Sequence, residues 1–147
     1  MTLDILLREK GNEIYFTHDD ATILECVRSL GEKNIGVLMV LDDSGRLEGI
    51  VSERDIIRKA FDEFGLKPHL KVKDIMIPRG QLVLAAKNDR ISDIMQKMSD
   101  NHVRHIPVMD EEKVVGLLSI RDVIWKLLDE TVTENRHMKD YIYGHPF

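Results

Sequence analysis

The stretch LEGIVSERDIIRKA (residues 47–60) occurs a second time in the chain, as VVGLLSIRDVIWKL (residues 114–127). The two copies lie 67 positions apart and share a glycine, the pattern Ser-x-Arg-Asp and the spacing of the apolar residues around it. Self-similarity at a fixed distance indicates a duplicated structural unit. We therefore predict two copies of one small fold, which together make about one domain in a chain of 147 residues.

Each copy is preceded by a helical pattern and by short apolar runs. One face of a helix is predicted by Ile23, Cys26, Val27 and Leu30 in the first unit, and by Ile91, Ile94, Met95 and Met98 in the second. The runs 37–41 and 105–109 are each followed by an acidic turn and a second run, at 47–51 and 114–118, which predicts two β-hairpins. Apolar runs at 14–16 and 82–84 predict an opening strand for each unit.

The predicted order is therefore β-α-β-β-α, twice, an α/β (α+β) fold with pseudo-two-fold symmetry. The predicted segments are a first unit at 10–64, a linker at 65–81, a second unit at 82–128 and a C-terminal helix end and tail at 129–147. We predict an added amphipathic helix at 2–10 and a helical turn in the linker near 72–76. We expect residues 134–147 to fray, or to form an arm that docks on a partner.

The second helix of each unit is predicted to bury its apolar residues. These are Ile56, Ile57, Ala60, Phe61 and Phe64 in the first unit, and Val123, Ile124, Leu127 and Leu128 in the second. Trp125 lies between the buried stripes, where it could cover a helix–helix or subunit contact. A lone chain would leave these outer helices partly uncovered, so we expect a homodimer.

Composition excludes several classes of protein. Hydrophobic residues make up 43% and charged residues 32%, which is typical of globular proteins. The net charge of −5 argues against broad binding to nucleic acid. The longest apolar run is far shorter than a membrane span, and the N-terminus lacks the pattern of a signal peptide. Cys26 is the only cysteine, so we expect no internal disulfide and a reducing cytoplasm.

The duplicated Ser-x-x-Asp pattern, Ser52 to Asp55 and Ser119 to Asp122, admits two interpretations. Serine followed three residues later by an acid is a helix N-cap signature. An aspartate in the first helical turn also stays ionised, and it can accept the two vicinal hydroxyls of a ribose. The sequence alone leaves both interpretations open.

Basic residues beside this pattern are candidates for a phosphate contact. Arg54 and Arg121 each stand one residue before the acid. Arg104 and His105 begin a strand of the second unit, whereas the first unit has glycine and valine there, so packing alone does not require them. The alternative is a solvated strand edge. His102 and His105 point to opposite faces if they share a strand, and no third ligand is near, so we expect no metal site.

These residues resemble the cystathionine β-synthase (CBS) domain family. The resemblance covers roughly residues 10–128 and rests on IGVLMVLDDSGRLEGIVSERDII, on VRHIPVMDEEKVVGLLSIRDVI and on the linker fragment KVKDIMI. It implies a Bateman module, in which two units form two clefts that bind adenosine-containing ligands such as AMP, ADP, ATP, NAD or S-adenosylmethionine. Such modules commonly form homodimers and stand alone in some bacteria and archaea.

The resemblance also implies how the two units share each site. Ser119 and Asp122 would take the ribose, while Thr17 and Ala21 of the first unit line the adenine. Ser52 and Asp55 would work with Ala85 and Asp89 of the second unit. The family usually has a hydroxyl residue and a proline where this chain has Ala85-Ala86-Lys87, so we expect the Asp122 site to bind more tightly.

The favoured function is an adenine-nucleotide sensor that regulates a separate protein, and no cofactor is required. The alternatives are a structural dimer that binds no ligand, or an enzyme acting on a nucleotide. We favour a protein that is not an enzyme, because no catalytic motif accompanies the candidate aspartates.

Overall fold

The computed structural model describes residues 1–11 and 13–143, which form two similar units joined by a linker. Helix α1 (Leu3–Lys10) comes first. The first unit comprises β1 (Phe16–Thr17), α2 (Ile23–Lys33), β2 (Val37–Leu41), β3 (Leu47–Ser52) and α3 (Glu53–Lys59). The linker contains β4 (Phe61–Asp62), β5 (Gly65–Leu66), α4 (Val72–Ile75), β6 (Ile77–Pro78) and a 3-10 turn (Arg79–Gln81). The second unit comprises β7 (Ala85–Ala86), α5 (Ile91–Asn101), β8 (His105–Asp110), β9 (Lys113–Ser119) and α6 (Ile120–Tyr143). The predicted order of elements is confirmed.

Each unit is built on its own small sheet. The strand order is β1-β2-β3-β6 in the first and β7-β8-β9 in the second. The opening strand of each unit runs parallel to its neighbour, and the next two strands form an antiparallel hairpin. Both hairpins have a register irregularity at the same place, between Val40 and Leu41 and between Val108 and Met109. The repeat in the sequence is therefore also a repeat in backbone detail.

The opening strands lie later in the chain than the apolar runs predicted. They are β1 and β7, whereas the predicted runs were 14–16 and 82–84. Ile14, Leu82 and Leu84 instead pack, partly buried, against a cluster between the two units. The apolar runs therefore mark burial, while the hydrogen-bonded ladder forms two or three residues further on.

Three apolar clusters hold the molecule together. One lies under each sheet: the first unit packs α2 and α3 against its strands, and the second unit does the same with α5 and α6. The third joins the two units, and its buried members are Val37, Met39, Leu47, Ile50, Met109 and Val114. The two sheets therefore pack on each other through side chains of their hairpins.

The core of each unit is completed by the segment that precedes the other unit. Leu3, Leu6 and Leu7 of α1 are buried in the core of the second unit. Val72 and Ile75 of α4 are buried in the core of the first. This exchange ties the two units to each other, so neither core is complete without the rest of the chain.

The glycine that both repeats share, Gly49 and Gly116, lies where the exchanged segments contact the hairpins most closely. A Cβ on Gly49 would lie 2.4 Å from the carbonyl oxygen of Ile77, and one on Gly116 would lie 2.5 Å from a methyl group of Leu7. Both distances are shorter than any real contact of a Cβ atom. The glycine in each copy is therefore required by close packing of β6 and of α1.

We predict that Gly49→Ala lowers the free energy of unfolding by about 1–3 kcal/mol, the usual cost of overpacking. Gly116→Ala should cost less, because a leucine methyl group can move aside and a strand carbonyl cannot. Urea denaturation measures both effects. Gly80→Ala is the control, since a Cβ there meets nothing within 4 Å. Equal stability of the variants at positions 49 and 80 would contradict this packing.

The prediction that α3 buries five apolar residues is wrong for three of them. Ile56 and Ala60 are buried, but Ile57, Phe61 and Phe64 are exposed. The helix ends at Lys59, and the chain then turns into the hairpin of β4 and β5, so the two phenylalanines are not on the helix. Ile57 follows Ile56 by 100° around the helix and faces outward.

The last helix also differs from the expectation. Val123 is buried and Leu127 partly buried, whereas Ile124, Trp125 and Leu128 are exposed. Residues 134–143 were expected to fray or to form an arm, and they continue α6 as a helix of 24 residues in total. Residues 144–147 lie outside the described part of the chain. None of the helices described is both long and apolar enough to cross a membrane.

Candidate functional site

The Ser-x-x-Asp pattern lies where a strand ends and a helix begins in both units. The amide and the hydroxyl of Ser52 both donate to Oδ2 of Asp55 at 2.9 Å, and the amide of Asp55 donates to Ser52 Oγ at 3.3 Å. Ser119 and Asp122 repeat these contacts at 2.9, 2.9 and 3.2 Å. The capping interpretation is therefore confirmed in both units.

The cap uses only one oxygen of each aspartate. Within the described residues, Oδ1 of Asp122 accepts no hydrogen bond, and the closest cation to Oδ1 of Asp55 is Lys59 Nζ at 3.8 Å, too far for one. The lone pairs of each Oδ1 can therefore accept hydroxyl groups from a bound molecule. The cap uses Oδ2 and leaves Oδ1 free, so capping does not exclude the ligand-binding interpretation of the motif.

Helix α1 places a lysine on the carboxylate of the second unit. Lys10 Nζ lies 2.6 Å from Asp122 Oδ2 and donates a second hydrogen bond, of 2.8 Å, to the carbonyl oxygen of Leu117. Burial alone would raise the pKa of Asp122, but the Lys10 ammonium and the hydrogen bonds from Ser119 outweigh it and hold that pKa below its ordinary value. Asp122 is therefore ionised at neutral pH.

The carboxylate of the first unit has different surroundings. Asp55 is more buried, with 10% of its side chain exposed against 23% for Asp122. Its only ion pair in the described chain is the 3.8 Å contact with Lys59, whose Nζ also donates to the carbonyl oxygen of Ile75 at 3.2 Å. Among the residues described, no lysine or arginine contacts Asp55 as closely as Lys10 contacts Asp122.

The two units also differ in charge beside the first residue of each helix. The amide of Ile120 donates to the carbonyl oxygen of Arg104, and the amide of Glu53 makes the same bond to Gly36. Glu53 Oε2 lies 3.4 Å from where a Cβ of Gly36 would be. One position therefore carries a guanidinium in the second unit and faces a carboxylate in the first.

His105 lies close enough to Lys10, Arg104 and Asp122 for their charges to shift its pKa. Partial burial of the ring lowers the pKa of His105, and Lys10 and Arg104 lower it further, while Asp122 acts in the opposite direction. His105 is therefore neutral at pH 7. The largest cause is burial of the ring, and the second is Lys10, which the fold of a distant helix brings close to it.

The other candidate residues lie on several different elements. Arg54 and Arg121 are exposed on the first turns of α3 and α6. Thr17 lies in β1, and the carbonyl oxygen of Ala21 accepts from the amide of Val72. In the described chain, no hydrogen bond or ion pair links Thr17 or Ala21 to Asp122.

Ala85 and Asp89 are likewise not linked to Asp55 by any hydrogen bond or ion pair of the described residues. Ala85 is buried in the core of the second unit. Asp89 Oδ2 accepts from the amide of Ala86 at 3.0 Å and lies 3.3 Å from Lys97 Nζ. The pairing of each aspartate with the opening segment of the other unit stays a prediction.

The histidines within residues 1–11 and 13–143 show no metal-binding arrangement. His102 caps the C-terminus of α5 in the left-handed region, with φ of 54°, as Asn34 does for α2 with φ of 52°. Among the residues that the structure describes, no group of three or more histidine, cysteine, aspartate or glutamate side chains could hold a metal ion.

Comparison with known proteins decides the family. The family model described as "CBS domain" matches residues 11–62 and 72–129, which is most of the chain. This chain belongs to the CBS domain family. Its two matches correspond to the two units, so the molecule is a tandem CBS pair.

Similar proteins include a CBS domain-containing protein of Arabidopsis thaliana, CBSX3, mitochondrial, which is 31% identical over 97% of this chain and 72% of its own length. The crystal structure of the CBS domain protein NE2398 has a TM-score of 0.78 and 34% identity, and the match covers 87% of this chain and 98% of that one. The CBS domain pair of MJ0100, solved with 5-methylthioadenosine and S-adenosyl-L-methionine, has a TM-score of 0.73 and 25% identity over 89% of this chain and 98% of that one.

The sequence analysis did not identify two charged residues, Lys10 and Glu53, that the structure places near the candidate sites. Lys10 contacts Asp122 across 112 positions of sequence, and the helical pattern of α1 does not show what the helix packs on. Glu53 could have been found, because the second copy of the repeat has Ile120 in its place. A charge present in one copy of a repeat and absent from the other is the signal.

We predict that Lys10→Met raises the pKa of Asp122 toward the ordinary range, because the ammonium that favours the charged carboxylate is gone. Carboxyl chemical shifts in an NMR titration measure this change. The free energy of unfolding at pH 7 should fall by at most about 1 kcal/mol, because the pair is partly exposed. The stability that this ion pair contributes is fully present above the pKa that Asp122 has in the unfolded chain. It is lost as the pH falls through the lower pKa that Asp122 has in the folded chain.

Arg8→Met is the matched control for this experiment. Arg8 lies on the same helix and pairs with Asp4 at 3.0 Å, not with Asp122. If both variants leave the titration of Asp122 unchanged, the contact with Lys10 does not form in solution.

Proposed function

We propose that this CBS pair is a regulatory module that binds an adenosine-containing ligand and acts on a separate protein. The observation that carries the proposal is the unused Oδ1 of a capped aspartate, present in both units. The related CBS pair of MJ0100, which binds two adenosyl compounds, supports the ligand class. The candidates are AMP, ADP, ATP, NAD and S-adenosylmethionine.

The chemistry of the proposed contact follows from the cap. The two vicinal hydroxyls of a ribose are hydrogen-bond donors, and Oδ1 of Asp122 is an acceptor with free lone pairs. The Ser119 hydroxyl donates its proton to Oδ2 of Asp122 and accepts a hydrogen bond from the amide of Asp122. One lone pair of Ser119 Oγ is therefore left to accept a ligand hydroxyl. A sugar can therefore bind without opening the helix cap.

We propose that the two sites prefer different ligands. At the Asp122 site, Lys10 and Arg104 supply positive charge, and His105 can be protonated. At the Asp55 site, Glu53 brings negative charge to the position equivalent to Arg104. A phosphate group is attracted to the first arrangement and repelled by the second. Phosphorylated ligands should therefore bind at Asp122, and the Asp55 site should favour an adenosyl group without phosphate.

We predict that Asp122→Ala abolishes most AMP binding, while Asp55→Ala changes it less than about threefold. Titration calorimetry of AMP into the two variants tests this difference. Adenosine is the second ligand, and its binding should be lost from whichever site carries the alanine. Equal losses of AMP affinity in the two variants would contradict the proposed asymmetry.

We predict that Arg104→Ala weakens AMP binding about tenfold or more and leaves adenosine binding nearly unchanged. A hydrogen bond between charged groups contributes about 1.5–3 kcal/mol, and 1.4 kcal/mol is a factor of ten. The control is Arg121→Ala, since Arg121 is repeated as Arg54 and is exposed. A variant at position 104 that loses both ligands equally would show that Arg104 supports the fold instead.

The pH dependence of AMP binding should come from His105. Because its pKa is lowered, His105 gains its proton only below pH 6.5, and AMP affinity should rise as the pH falls through that range. The AMP phosphate also titrates near pH 6. The pH profile of His105→Asn therefore shows the contribution of the phosphate alone, and its difference from the wild-type profile is the contribution of His105. The same pH profile in the wild type and His105→Asn would exclude His105 from the phosphate contact.

A second candidate function is a platform that binds no ligand, favoured by the observation that Lys10 already pairs with Asp122. A thermal-shift screen separates the two. A ligand at 100 times its dissociation constant stabilises a one-site protein by about 2.7 kcal/mol, and no shift with any adenosyl compound favours the platform. Turnover of a compound would favour an enzyme instead of a regulatory module.

We further propose that the module works as a homodimer in the cytoplasm. The dimer is supported by large apolar side chains on the surface: Trp125 is 59% exposed and Phe64 is 89% exposed. Closed two-fold association is the commonest way to cover such residues.

The cytoplasmic location is supported by the single cysteine, Cys26, which is buried and has its pKa raised to about 11 by that burial.

A further inference from the structure

One oxygen of the Asp122 carboxylate already carries several donors from this chain. Oδ2 accepts three hydrogen bonds, from the amide and the hydroxyl of Ser119 at 2.9 Å and from Lys10 Nζ at 2.6 Å. A carboxylate has about four lone-pair positions on its two oxygens. With the two hydroxyls of a ribose, the donors exceed these positions. One donor therefore has to leave when a diol binds to this carboxylate.

Lys10 is the donor that can leave. The two hydrogen bonds from Ser119 belong to the cap at which α6 begins, so they break only if that cap opens. Lys10 is the last residue of α1, and its side chain is 38% exposed. A partly exposed ion pair of this kind adds little stability. Rotation of one side chain can therefore free the carboxylate without moving the buried leucines of α1.

The repeat shows that Lys10 is an addition to the design that the two units share. Lys59 and Lys126 are equivalent residues, each four positions after the capped aspartate of its unit. Lys59 lies 3.8 Å from its aspartate, whereas Lys126 Nζ pairs with Glu9 of α1 at 2.8 Å. The counter-ion of Asp122 thus comes from a segment 112 positions away in sequence, and not from the helix that carries the aspartate.

The ammonium of Lys10 lies beside the place proposed for a phosphate. Lys10 donates to the carbonyl oxygen of Leu117, and the carbonyl oxygen of Arg104 accepts from the amide of Ile120, so both cationic residues flank the same cap. Both also lower the pKa of His105, so both charges act at one ring. A phosphate beside Arg104 therefore attracts the ammonium of Lys10, whereas an uncharged nucleoside leaves it to water.

We propose that Lys10 is a displaceable counter-ion of Asp122 that makes this site select nucleotides over nucleosides. Adenosine displaces the ammonium from the carboxylate and leaves it in water. AMP displaces it too, but the phosphate then accepts hydrogen bonds from it. The inference rests on the proposed binding of a ribose to Asp122, and it adds a competitor for that carboxylate, supplied by α1.

Titration calorimetry of AMP and of adenosine into Lys10→Met tests the proposal, because the two affinities should change in opposite directions. Adenosine should bind about two- to fivefold more tightly, since it no longer has to displace the ammonium. AMP should bind about threefold or more weakly, since its phosphate loses a charged donor. Both titrations are repeated in the Asp55→Ala background, in which the Asp122 site is measured alone.

Two further variants separate charge from packing. Lys10→Arg keeps a cation at the end of α1, so it should keep the ratio of AMP to adenosine affinity within about threefold of the wild type. Arg8→Met is the matched control, because Arg8 pairs with Asp4 at 3.0 Å on the same helix. It should leave both affinities within about twofold of the wild type. Urea denaturation checks that each variant is folded.

The results separate this inference from the proposed function. If the wild type binds AMP and Lys10→Met loses affinity for both ligands equally, or for neither, Lys10 is not a displaceable counter-ion and only this inference is wrong. If the wild type and Lys10→Met bind neither ligand, the proposed function fails, and this inference fails with it. Adenosine binding by Lys10→Met but not by the wild type would support the competition.

Discussion

Reciprocal hydrogen bonds between a serine and the aspartate three residues later fix both junctions between a hairpin and its second helix. The same contacts are made by Ser52 with Asp55 and by Ser119 with Asp122, at nearly the same distances. They hold each carboxylate at the start of a helix, where the helix dipole favours its charge. Because only Oδ2 takes part in these hydrogen bonds, Oδ1 of each aspartate keeps its lone pairs free.

The exchanged segments make two similar units chemically different. Helix α4 covers the first unit with apolar side chains, whereas α1 covers the second unit and ends in Lys10, whose ammonium contacts the carboxylate of Asp122. Within the repeat itself, Glu53 and Arg104 stand without a counterpart of the same charge. The pseudo-symmetry thus gives two aspartates the same cap, and a few unmatched charges make their surroundings different.

The repeat made most of the fold predictable, because both copies had to satisfy one pattern. The strand 37–41 and the helical turn near 72–76 form where the sequence predicted them. Periodicity identifies an apolar face but not what covers it, which is why Ile57 and Leu128 were wrongly expected to be buried. The capped aspartates were predictable as local chemistry. Lys10 was not, since only the packing of a distant helix brings it to the site.

We propose that Asp122 divides its two oxygens between the helix cap and the ligand. A crystal structure of the wild-type chain with AMP tests it directly. We predict ribose hydroxyls about 2.7 Å from Oδ1 of Asp122, with the hydrogen bonds from Ser119 to Oδ2 retained and the phosphate beside Arg104. A nucleotide bound away from this carboxylate, or one whose binding breaks the contact between Ser119 and Oδ2, would contradict the account.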